Sequence, residues 1–320
     1  LRVSGRAMMI TAQMLKIVRG LEEAGASPIP FKGPMLAEQL YGPDSLREYI
    51  DLDILVRPVD VPRAKAALEA QGFVYNYRDI DQDSVDAPGE GVGYNFVFYR
   101  SDLDFRLELH WNIVRRTFYL PLKVEDFWTR CHNVIIAGKP VRTLCPEDML
   151  IALCIHAAKD GWMRLAWVID IAQLVTASPA LDWHALMDRA AGLRARCIVC
   201  LGLYLARDLL GLALPPQALA HLDAERNLEP LAQEVICVLF SKDFDPNNLS
   251  TLSDRFRAAS REHLRDKLRH GLHFIAQRIP PTEADSAFIR LPRWLSPLYY
   301  LIRPVRLTLR LLDRDSRRKG

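Results

Sequence analysis

Ile50-Asp51-Leu52-Asp53-Ile54-Leu55-Val56 alternates acidic and apolar residues with a period of two before running into three consecutive aliphatics. That pattern predicts a β-strand, because side chains two apart on a strand share a face. Asp51 and Asp53 therefore project together, while Ile50, Leu52 and Ile54 point to a buried side. Two carboxylates on one face repel, and the arrangement is stable only with a cation or basic group between them. A hard divalent cation with oxygen ligands is the usual solution, and Mg²⁺ that also binds a phosphate is its usual use.

A second strand, Leu103-Asp104-Phe105-Arg106-Leu107-Glu108-Leu109-His110-Trp111, places Asp104, Arg106, Glu108 and His110 on one face. Glu108 is flanked by leucines, and acidic residues avoid such positions unless they have partners. If this strand lies beside the first, Glu108 completes a three-carboxylate cluster suited to two metal ions roughly 3.5–4 Å apart. Upstream, Lys32-Gly33-Pro34 stands between an extended segment and a helix. Glycine there lets backbone amides approach a phosphate, a helix N-terminus favours an anion, and Lys32 can neutralise it.

The remaining elements follow from periodicity and breakers. A helix is expected over Ala7 to Ala24, a short one over Met35 to Tyr41, and one over Pro62 to Gln71. Strands are expected over Phe73 to Tyr77, Tyr94 to Tyr99 and Leu103 to Trp111, and a hairpin over Asn133 to Thr143. Ile80 to Gly93 reads as a loop. From Cys145-Pro146-Glu147-Asp148 onward the pattern is helical, with helices near 147–160, 163–176, 182–191, 194–212, 229–241, 254–277 and 296–312. The fold class is therefore α+β: a mixed sheet with helices over residues 1–145, then an all-α domain over 146–320.

Bulk properties narrow the classes. The chain has 320 residues, half hydrophobic and a quarter charged, which suits a globular protein and not a disordered or fibrous one. A net charge of +3 makes the whole molecule no general polyanion binder. Residues 251–320, however, carry 16 Lys and Arg against 7 Asp and Glu, so this segment could meet nucleic acid or an anionic membrane surface. Docking of that basic face to the core is the favoured reading. The six cysteines include one CxxC, Cys197 and Cys200, inside an apolar helical run, which reads as core thiols in a reducing compartment. Apolar runs are too short to span a membrane and no signal peptide stands out, so a cytoplasmic location is expected.

Taken together, Lys32-Gly33, Leu40-Tyr41-Gly42, Arg47, Asp51 to Val56, Glu108-Leu109-His110-Trp111, Pro146-Glu147-Asp148 and His156-Ala157-Ala158 resemble a bacterial family of uncharacterised nucleotidyltransferases. That family lies within the polymerase-β-like nucleotidyltransferase superfamily. The resemblance covers about residues 28 to 175. The turn departs from the superfamily, having Gly33-Pro34 where Gly-Ser or Gly-Gly is usual.

The resemblance implies transfer of a nucleoside monophosphate from an NTP such as ATP, with Mg²⁺ (two ions, Mn²⁺ as an alternative). The acceptor would be a hydroxyl or phosphate of a small molecule or peptide. Asp51, Asp53 and Glu108 are the expected metal-binding and catalytic residues. Lys32, Gly33, Arg47 and Lys159 are the nucleotide-binding candidates. His110 and His156 are candidates for acceptor contact. Asp170, on an apolar helix, is expected to pair with Arg164 or, as the less favoured reading, to sit in the cleft, and Trp111, Trp162, Trp167 and Trp183 to sit in the core. An RNA-directed nucleotidyltransferase, or a non-catalytic nucleotide-binding, antitoxin-like partner protein, are the competing readings.

Overall fold

The computed structural model describes residues 2–42, 47, 49, 51–75, 93–103, 105–118, 120–225 and 227–241. These all fall in one compact unit, Leu1–Glu262. The helices expected at 254–277 and 296–312, the basic segment 251–320, most of the 80–93 loop, Ile50 and Asp104 lie outside the described residues.

The chain opens with α1 (Arg2–Glu23), then β1 (Ile29–Pro30), α2 (Pro34–Tyr41), β2 (Asp51–Leu55), α3 (Val61–Ala70) and β3 (Val74–Tyr75). β4 (Asn95–Tyr99) and β5 (Arg106–His110) form a hairpin, followed by α4 (Asp126–Arg130) and the expected hairpin of β6 (His132–Ile136) and β7 (Lys139–Thr143). The helical series is α5 (Pro146–Lys159), α6 (Leu165–Ala177), α7 (Trp183–Gly192), α8 (Arg196–Leu210), α9 (Pro216–Ala224) and α10 (Leu228–Leu239). The sequence reading lacks α9, because Pro215-Pro216 resembles a break between the helices expected near 194–212 and 229–241. Pro216 instead opens the helix at its first position, where a missing N–H costs nothing. It also lacks α4, which is only one turn long.

The main sheet has the order β1-β2-β5-β4-β3 and is mixed. β2 and β5 run parallel at its centre, with antiparallel neighbours outside. One face of this pair, Leu52 and Ile54 with Leu107 and Leu109, packs against Ile10, Met14, Ile17 and Leu21 of α1 and Ala64 and Leu68 of α3. The other face carries the acids. A second apolar cluster joins Ile29, Phe31, Leu36 and Leu55 to the buried sides of α5, α6 and α8. Residues on both sides of position 145 thus share one core.

Within that core Cys154, Cys197 and Cys200 are buried, none of them in a disulfide. Gly202 of α8 leaves space for the Cys154 sulfur and the Trp162 ring, which a Cβ at that position would meet at 2.7 and 3.0 Å. No helix among the described residues is long and apolar enough to cross a membrane.

Candidate active site

The parallel register pairs Asp53 with Glu108, Asp51 with Arg106 and Leu55 with His110. Direct partners on adjacent strands share a face, so Asp51, Asp53, Arg106, Glu108 and His110 form one polar surface. Ligand atoms of Asp53, Glu108 and His110 lie within 4.8 Å of one another. Lys32, two residues past β1, reaches the same point, with its ammonium 2.7 Å from Asp53 Oδ1. His110 Nε2 lies 3.0 Å from that oxygen and 3.3 Å from Glu108 Oε2. Asn95 of β4 donates from Nδ2 to Glu108 Oε2 at 2.9 Å. Asp51, at the strand's open end, accepts from Arg106 Nε at 2.7 Å.

Electrostatics follow from this packing. Burial by itself would raise Asp53, but the Lys32 charge and the His110 hydrogen bond hold it far below the usual carboxylate range. Glu108 is likewise held down against burial, chiefly by His110. Burial disfavours the His110 cation, yet its bonds to Asp53 and Glu108 push it above the ordinary imidazole value. Asp51 goes the other way: burial raises it, Arg106 lowers it, and the neighbouring Glu108 and Asp53 charges keep it up.

Gly33 makes this crowding feasible. Its φ is 58° and a Cβ there would collide with the Asp51 carbonyl, so the turn before α2 lies directly on the acidic strand. Pro34 then occupies the first turn of α2.

A cleft of about 1070 Å³ opens over this face. Lys32, Gly33, Arg47, Asp51, Asp53, Glu108, His156 and Lys159 all line it. His110 does not: at 2% exposure it lies behind the carboxylates, against Asp53 and Glu108. Lys159 donates to the Tyr94 hydroxyl at 3.4 Å and pairs with Asp160 at 3.0 Å. His156 is pushed well below its ordinary value by burial and by the Lys32 and Lys159 charges, so it stands neutral on this wall.

Arg47 is bound bidentately to Asp170 of α6, through Nε and Nη2, both at 2.7 Å. That replaces the favoured Asp170–Arg164 pair and leaves Asp170 lining the cleft, the other reading: Arg164 instead lies over the Trp167 ring. Trp162 and Trp111 are in the core as expected, but Trp167 lines the cleft beside His156. Sequence reasoning missed Asn95, Tyr94 and Arg115, which also line the cleft. For Asn95 a signal existed: it lies two residues before Val97, the register partner of Glu108.

The crystal structure of ANT(2")-Ia in complex with adenylyl-2"-tobramycin is 16% identical and aligns with a TM-score of 0.41 over 59% of this chain and 98% of that one. The solution structure of the antibiotic-resistance factor ANT(2'')-Ia is 17% identical, with a TM-score of 0.40 over 59% of this chain and 93% of that one. No curated protein matches the sequence. A family described as uncharacterised nucleotidyltransferase matches residues 2–211, well over half of the chain. Those residues hold the acidic strand pair, the Gly33 turn and the helices α5 and α6 that wall the cleft. The chain therefore belongs to the uncharacterised nucleotidyltransferase family.

Proposed function

We propose that this nucleotidyltransferase moves a nucleoside monophosphate from an NTP, ATP foremost, to a hydroxyl or phosphate of a small molecule or peptide, with Mg²⁺ or Mn²⁺ at the carboxylate face. The observation that carries the reading is the Asp53–Glu108 register across two parallel strands at the floor of the cleft. A binding module has no need to hold three mutually repelling carboxylates together.

The donor set fits a hard divalent cation. Asp53 and Glu108 offer oxygens within 4.8 Å of each other, beside the His110 nitrogen, and Asp51 adds a third carboxylate on the same face. Divalent cations held by Asp51, Asp53 and Glu108 would neutralise the triphosphate and acidify the acceptor hydroxyl. The protein's own groups do the rest. Lys32 and Arg47 attract the phosphates, and the Gly33 turn lets backbone come close to them. The bond from the α-phosphorus to the bridging oxygen breaks and pyrophosphate leaves with that electron pair. The acceptor oxygen bonds to phosphorus, and its proton passes to the Glu108 carboxylate, which Asn95 and His110 hold in place. Positioning and charge neutralisation supply most of the rate. In this reading residues 1–145 carry the chemistry, and 146–320 help bind nucleotide and acceptor through Lys159 and His156.

The test is pyrophosphate release from each labelled NTP with Mg²⁺ and acceptors drawn from a cell extract. Asp53→Ala is expected to lower turnover by at least about 100-fold. Unchanged turnover in that variant would sink the assignment.

A further inference from the structure

A carboxylate only 2% exposed on an apolar helix is costly unless all its bonds are made. Asp170 makes them, and they converge on one short helix. Its Oδ1 accepts from the Tyr41 hydroxyl at 2.8 Å and from Arg47 Nε at 2.7 Å, and its Oδ2 from Arg47 Nη2 at 2.7 Å. Arg47 Nη1 donates onward to the Gly33 carbonyl at 3.3 Å. Tyr41 is the last residue of α2, and Gly33 immediately precedes its first. One side chain on α6 thus grips both ends of the helix that starts at the Gly33 turn.

The grip has the right chemistry for orientation. A fork-to-carboxylate bond fixes the plane of a guanidinium, which a single contact does not. Burial works against the Arg47 charge, but Asp170, then Tyr41 and Asp53, keep it firmly protonated. Arg47, Gly33, Tyr41 and Asp170 all line the cleft that holds the carboxylate face.

We propose that Asp170 is a positioning residue for nucleotide binding: through Arg47 and Tyr41 it sets the Gly33 turn and the Arg47 guanidinium for the phosphates of the bound NTP. This rests on the triphosphate occupying the turn, as in the function proposed above. It adds that nucleotide affinity is governed from α6, a helix outside the sheet. Asp170 touches no reacting atom, so loosening it acts on binding and leaves the chemical step nearly intact.

The experiment measures binding of magnesium pyrophosphate by calorimetry, a probe that needs neither a known base nor a known acceptor, alongside a thermal melt of each variant. The full chain is expected to bind it. Asp170→Asn keeps the volume and removes the charge; it is expected to weaken binding at least tenfold while the melt stays cooperative. Combined with Arg47→Lys, it is expected to add less than twofold to the loss that Arg47→Lys causes alone, because both break the same bond. In turnover assays its NTP KM is expected to rise at least tenfold, with kcat changed less than threefold.

Binding by Asp170→Asn within twofold of the parent, or full additivity with Arg47→Lys, overturns the proposal, as does a parent that binds no pyrophosphate. If Asp170→Asn does not fold, Tyr41→Phe decides: binding a few-fold weaker supports the proposal, and unchanged binding overturns it. Normal binding behaviour with no NMP transfer leaves the positioning role standing and removes only the transfer reading.

Discussion

Gly33 shows how much one residue can constrain this site. Its backbone has a positive φ, and the space where a Cβ would stand belongs to the Asp51 carbonyl. Gly33→Ala is therefore expected to destabilise the protein by about 1–3 kcal/mol from backbone strain alone, with more from the displaced strand. Urea unfolding measures it, and a variant as stable as the parent would refute the close approach. The residue scale is also where the sequence was most and least legible. Asp51, Asp53 and Glu108 could be read because strand alternation exposes them against apolar neighbours. Glycine before a helix was equally visible. The Arg47–Asp170 bond was not, since its partners are separated by 123 positions and nothing local on α6 selects Arg47 over the nearer Arg164. The Asp51–Arg106 pair was hidden for a related reason: each acid shows its face, but only the register shows which base stands opposite.

Among the helices, the Pro146-Glu147-Asp148 motif turns out to brace elements and not to touch the cleft. Asp148 on α5 is fully buried, accepting from Arg130 Nε at the end of α4 at 3.0 Å and from Arg189 Nε on α7 at 3.1 Å. Arg189 continues to Asp126 of α4 at 2.9 Å. The network closes two helices, α4 and α7, around the start of α5, the helix that also carries His156 and Lys159. Removing the buried acid takes a partner from both arginines and leaves a polar gap in the core, so Asp148→Ala is expected to cost about 3 kcal/mol in a melt or denaturant titration. Binding of magnesium pyrophosphate at low temperature is expected to stay within threefold of the parent. A large loss of binding at normal stability would place Asp148 in the nucleotide site. Element existence was largely legible because α5, α6 and α8 are long and strongly apolar. α9 was not, because a proline pair reads equally as a stop or as a first turn.

At the level of the whole molecule, the cleft has a floor from the sheet and a wall from α5 and α6, and the apolar cluster beneath joins them. A ligand spanning floor and wall stabilises the folded state by mass action. NTP with Mg²⁺ at 100 times its Kd is expected to add about 2.7 kcal/mol. For a protein of this size that raises Tm by roughly 4–5 °C. A chelator is expected to abolish most of the shift. An equal shift without divalent cation would argue against the carboxylate face as the binding floor. The central parallel pair also decides where this chain can change length over evolutionary time. Inserting or deleting one residue within β2 or β5 would turn the acids toward α1 and α3 and the leucines toward the cleft. The stretch between Tyr75 and Gly93 is under no such arithmetic. β4, which follows it, is aligned by its own pairing with β5, so a change of length there moves no carboxylate.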